Sequence, residues 1–190
     1  DIDLYIDAQQ REQTINAMHA ANFILFGQDR NPVTSKQFVA TDQALGRVRV
    51  HFDIHWKLSN RVLFADTLPF DECYASRQPV PALGPAAFAP SAVDLLLHAC
   101  IHRIAQGRNT ERTRLLWLYD MHRILAAMDE AQEQNFQQQA LGKKIGVLCA
   151  VALAVTSVLF GTNVRASWLN RLEKNKKTEP SVPLFYASKP

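Results

Sequence analysis

Asp1-Ile2-Asp3-Leu4-Tyr5-Ile6 opens the chain with two carboxylates at strand spacing. Alternate side chains of a β-strand point to opposite faces, so Asp1 and Asp3 share one face about 6.5 Å apart, and Ile2, Leu4 and Ile6 are expected to point into a core. Such a pair suits Mg²⁺, which takes carboxylate oxygens together with substrate phosphate and water. The plainer alternative is a solvated edge strand whose charges discourage aggregation. A motif met this early leads to the expectation that an upstream segment is missing.

Working outward, Gln9 to Phe26 reads as a helix, with Ile15, Met18, Ala21, Asn22 and Leu25 near helical spacing and Gly27 as its stop. Arg47 to His55 then alternates strictly. Val48, Val50, Phe52 and Ile54 fall on one side, and Arg47, Arg49, His51, Asp53 and His55 on the other. Gly46 marks a turn from a preceding strand near Gln37 to Ala40. Five prolines and Gly84 between Pro69 and Pro90 read as a connector that resists regular structure.

Everything beyond looks helical. Ser91 and Asp94 make a capping-box-like start, after which Val93, Leu96, Leu97, Cys100, Ile101 and Ile104 recur at helical spacing up to a stop at Gly107. Further helices are expected at about 112–128, 131–141 and 144–160. The charged stretch from Lys174 is expected to fray. The predicted architecture is α+β: a partial palm over residues 1–68, a connector over 69–90, a helical domain over 91–173 and a flexible tail over 174–190.

Composition narrows the class without naming it. With 47% hydrophobic and 21% charged residues the chain is ordinary globular material. A net charge of +3 over 190 residues does not argue for nucleic-acid binding. Cys73, Cys100 and Cys149 are odd in number and widely spaced, which fits buried thiols and an expected cytoplasmic location. The uncharged stretch from Ile145 to Phe160 is shorter than the roughly 20 residues a span requires, so it reads as a core helix and no membrane is expected. Glycines are too scattered for a phosphate-cradling loop, and no Gly-x-Ser-x-Gly elbow is present.

Metal-assisted phosphoryl transfer uses divalent ions about 3.5–4 Å apart, and a third carboxylate from a neighbouring strand would complete the site. Asp53, on the polar side of its strand between Phe52 and Ile54, is the natural candidate. The blocks Asp1-Ile2-Asp3-Leu4, Asp53-Ile54-His55-Trp56, Leu95 to His102 and Leu116-Trp117-Leu118-Tyr119-Asp120-Met121 occur in that order. Together they resemble the bacterial family of uncharacterised nucleotidyltransferases, built on the polymerase-β-type nucleotidyltransferase fold. The resemblance implies Asp1, Asp3 and Asp53 as catalytic and metal-ligating residues, Mg²⁺ or Mn²⁺ as cofactor, and a nucleoside triphosphate and an unknown acceptor as partners. Two departures stand out. The Gly-Ser turn the family places before its paired Asp does not precede Asp1, and Leu116 stands where the family usually carries Arg before Trp117.

Arg103, Arg108, Arg112 and Arg114 crowd around Gly107, and Arg112 and Arg114 are the candidate triphosphate contacts. The alternative for them is an ordinary solvated loop. His98 and His102 share a helix face at a spacing that can grip zinc, but no Glu follows His98 and no third ligand is evident. Both are expected to fasten the helical half to the strand half. Asp120, within an apolar helix, is expected to pair with Arg103 or Arg123. The expected function is nucleotidyl transfer, and the alternative is a catalytically inactive nucleotidyltransferase-like module that binds a nucleotide or a protein.

Overall fold

The alternation at the start of the chain does form a strand. A computed structural model describes residues 2–25, 35–41, 49–59, 61–105, 115–175 and 179. Within it, β1 spans Ile2–Tyr5, α1 Arg11–Ala20, β2 Ile24–Leu25, β3 Ser35–Thr41 and β4 Arg49–His55. The protein is α+β and divides into two compact units, Asp1–Glu72 and Cys73–Pro190.

In the first unit the four strands form one sheet in the order β1-β4-β3-β2. β3 is antiparallel to both β4 and β2, whereas β1 lies parallel to β4, with Asp3 opposite Asp53 and Tyr5 opposite His55. Among the described strands β4 is therefore internal and β1 is an edge. Ile54 is fully buried, and Trp56, Phe64 and Leu68 are buried around it. Phe23 meets Phe52 edge to face at 5.1 Å, and Tyr5 packs on Phe70 while its hydroxyl donates to the Leu68 carbonyl at 2.8 Å.

Two expectations fail here. Ile2 and Leu4 do not enter a core: they are 48% and 38% exposed, because among the described residues β1 pairs with β4 alone and α1 buries no residue that could cover it. Helix α1 also ends at Ala20 rather than Phe26. Asn22 takes a left-handed φ of 63°, the Phe23 amide donates to the Met18 carbonyl at 2.9 Å and the Asn22 amide to His19 at 3.0 Å. This is a Schellman stop with Asn in the position usually given to Gly. Leu25, expected on the helix face, belongs instead to β2.

The proline-bearing segment is more ordered than its composition suggested. It holds α2 at Phe70–Ala75 and a two-stranded ladder of β5, Gln78–Pro79, with β6, Phe88–Ala89. The prolines sit where no amide is missed, Pro81 opening a 3₁₀ turn over Pro81–Leu83. Arg77 stacks over Tyr74 and Phe88, 3.6 and 4.5 Å from the ring centroids, and clamps this ladder.

The helices α3 (Ala92–Ala105), α4 (Leu115–Ala127), α5 (Glu130–Gly142), α6 (Gly146–Phe160) and α7 (Ala166–Leu172) complete the second unit. Helix α3 starts as its sequence indicated: the Asp94 amide donates to Ser91 Oγ at 3.2 Å, and both Ser91 and Ser76 donate to the Asp94 carboxylate. Val93, Leu96, Leu97, Cys100, Ile101 and Ile104 are all buried. At about 1.5–3 kcal/mol for each fully buried large apolar side chain, that stripe outweighs any propensity term. The polar, Gln-rich α5 depends more on its ends, where Asp129 and Gln132 form a reciprocal capping box.

Helix α6 packs against α3, α4, α5 and α7, so its apolar run is a core helix, and no described helix is long and apolar enough to cross a membrane. The α7 helix was not foreseen; Trp168 and Leu172, four residues apart, are both buried. Most of the segment expected to fray lies outside the described residues, but Glu179 is among them. Glu179 is buried and its Oε2 accepts the Val147 amide at 2.8 Å, capping an α6 N-terminus that has no side-chain cap of its own. Asp120 faces solvent and needs no partner, while Arg103 is buried with Nε and Nη1 unpaired, so the expected Asp120–Arg103 pair does not exist.

Candidate metal centre

The polar side of β4 carries His51, Asp53 and His55 at two-residue spacing. Parallel pairing with β1 sets Asp3 beside Asp53 on that face. The Asp3 carboxylate also meets the next polar residue along, with His55 Nε2 3.0 Å from Asp3 Oδ1. One ligand atom each from Asp3, Asp53 and His55 lie within 4.8 Å of one another. Register alone produces this convergence, since a one-residue slip of β1 would send Asp3 to the opposite face.

Burial is uneven across the three. The Asp3 side chain is 70% exposed on its edge strand, while that of His55 is 21% exposed on an internal one. Ile54 and Trp56, buried on either side of His55 in the sequence, anchor the backbone that carries it. Tyr5, opposite His55, is pinned by its bond to Leu68. The result is one adaptable carboxylate facing solvent beside a fixed imidazole and a half-buried second carboxylate. Two carboxylates and an imidazole are hard and borderline donors that suit a divalent cation, and their spacing lets all three reach one ion.

Asp3 and Asp53, expected as ligands from the sequence, are thus brought together. Asp1 lies outside the described residues, as do Arg112 and Arg114. His55 had no role assigned to it, although the strict alternation of its strand already put it on the face of Asp53. His98 and His102 do not join a metal cluster among the described residues. Their rings lie 5.7 Å apart, and His102 packs edge-on against Trp117 of α4 at 4.8 Å, within the helical unit. None of Cys73, Cys100 and Cys149 forms a disulfide, and all three are buried. Burial pushes the Cys149 thiol well above its usual range, and a hydrogen bond with Cys100 adds to this.

Residues 1–161 match the family model described as Uncharacterised nucleotidyltransferase. The chain belongs to that family. No curated protein and no solved structure matches it. The nucleotidyltransferase match runs from the first strand to the end of α6, so it takes in both units and leaves α7 beyond it. Nucleotidyl transfer characteristically uses a nucleoside triphosphate and a divalent ion, and the Asp3, Asp53 and His55 donors fit that requirement in kind and spacing.

Proposed function

We propose that this nucleotidyltransferase is a metal-dependent enzyme that moves a nucleotidyl group from a nucleoside triphosphate to an acceptor hydroxyl, with Asp3 and Asp53 holding the metal. The observation that carries this reading is the lateral pairing of Asp3 with Asp53 on adjacent parallel strands, within a family-matched chain. When bound, Mg²⁺ or Mn²⁺ would stabilise the charge that develops on the leaving pyrophosphate. The acceptor oxygen bonds to the α-phosphorus, the bond from that phosphorus to the bridging oxygen of the β-phosphate breaks, and pyrophosphate departs. Asp53 takes the hydroxyl proton from the acceptor. Its position on the internal strand supports that role, because half-burial beside the fixed His55 holds its carboxylate in place.

Asp1, two residues before Asp3, would add a ligand, and Arg112 and Arg114 would steady the triphosphate. Residues 1–68 would serve as a partial palm that supplies the carboxylates, and residues 91–173 as the helical half.

The test is transfer of α-phosphate label from each nucleoside triphosphate, with Mg²⁺ or Mn²⁺, to a panel of proteins, RNAs and small alcohols. Label is expected to move to an acceptor, and Asp53→Asn and Asp3→Asn are each expected to slow transfer by at least about 10²-fold. Binding of nucleotide with no transfer to any acceptor would contradict the enzyme reading and leave a silent nucleotide-binding module.

A further inference from the structure

The donor set differs from the carboxylate-only centre that the sequence motif implied. We propose that His55 is a direct ligand of the metal, and that its imidazole tilts the centre from Mg²⁺ toward Mn²⁺. This inference rests on the reading of Asp3 and Asp53 as metal ligands.

Two donors at right angles on an octahedral ion, with bonds of about 2.1 Å, sit about 3.0 Å apart. His55 Nε2 and Asp3 Oδ1 are 3.0 Å apart. An ion can therefore replace the shared proton with little movement of either group. What movement remains falls to Asp3, which is exposed, and not to His55, which is held.

Carboxylate oxygens accept Mg²⁺ and Mn²⁺ alike, whereas imidazole nitrogen favours first-row transition ions and gives little to Mg²⁺. Zn²⁺ also accepts imidazole but usually stops at four ligands. Mn²⁺ combines tolerance of nitrogen with the oxygen-rich octahedral sphere that phosphate oxygens must enter. A site of two carboxylates and one histidine therefore suits Mn²⁺ better than Mg²⁺.

The experiment is Mn²⁺ titration of the whole protein followed by electron paramagnetic resonance, with Mg²⁺ as competitor, on wild type, His55→Gln and Asp53→Asn. Bound Mn²⁺ in the wild type is expected to show nitrogen coupling in pulsed spectra. His55→Gln should lose that coupling and bind Mn²⁺ at least about tenfold more weakly, with Mg²⁺ affinity changed less than about threefold. Asp53→Asn should lose both ions. Bound Mn²⁺ without nitrogen coupling in the wild type, a reading independent of whether any variant folds, would overturn the role of His55 and leave the carboxylate centre standing. An equal loss of both ions in a folded His55→Gln protein would do the same. Wild-type protein that binds neither ion would overturn the metal reading of Asp3 and Asp53 as well.

Discussion

Gly146, the first residue of α6, shows how little room the helical unit leaves. A Cβ there would collide with the Leu172 carbonyl oxygen and stand 3.1 Å from Glu179 Oε1. The nearer atom is backbone, which cannot swing aside. Gly146→Ala is therefore expected to destabilise the protein by about 1–3 kcal/mol, read as a lower midpoint in urea unfolding. Gly142→Ala is the control: nothing lies within 4 Å of a Cβ there, and a helical Ala should gain about 0.5–1 kcal/mol over Gly. Neither difference is legible in the sequence, where both glycines read simply as interruptions near a helix boundary. At the metal centre the reverse holds. The two-residue period of β4 by itself puts Asp53 and His55 on one face, and what the chain alone withholds is the register that sets Asp3 beside them. Register is a pairing property, and no local pattern encodes which residue of β1 meets which of β4.

At the scale of elements, β4 and α3 were legible from a sustained apolar period and α6 from an uncharged apolar run, whereas α5 is polar and held by its capping box. The sequence misjudged elements whose limits depend on local backbone chemistry. Helix α1 ends at Ala20, six residues before the expected end, since Asn22 tolerates the left-handed conformation that Gly27 was expected to supply. Asn22→Ala should cost about 1 kcal/mol, because a Cβ without a local hydrogen-bonding side chain is strained at φ 63°, whereas Asn22→Gly should be close to neutral. Thermal unfolding of the two variants side by side checks this, and equal losses would mean that the side chain of Asn22, not its backbone, holds the turn. The α7 helix escaped notice for a different reason. At seven residues it is too short to show a period, and its stability comes from Trp168 and Leu172 entering the core. The exposure of Ile2 and Leu4 was likewise invisible, because alternation reports which side chains share a face and not whether anything covers that face.

Across the whole molecule, the carboxylates and the imidazole come from one unit, while the family match extends through the helices of the other. The α+β class was legible from the switch in hydrophobic period between Arg49–His55 and Ala92–Ala105. The family was legible from four ordered blocks, each weak alone. The proposed function depends on Asp3, Asp53 and His55 together gripping a divalent cation. Anomalous diffraction from crystals grown with Mn²⁺ tests it most directly. A peak within about 2.5 Å of one atom from each of the three side chains is the expected result, and a well-ordered Mn²⁺ bound elsewhere with this trio bare would contradict it.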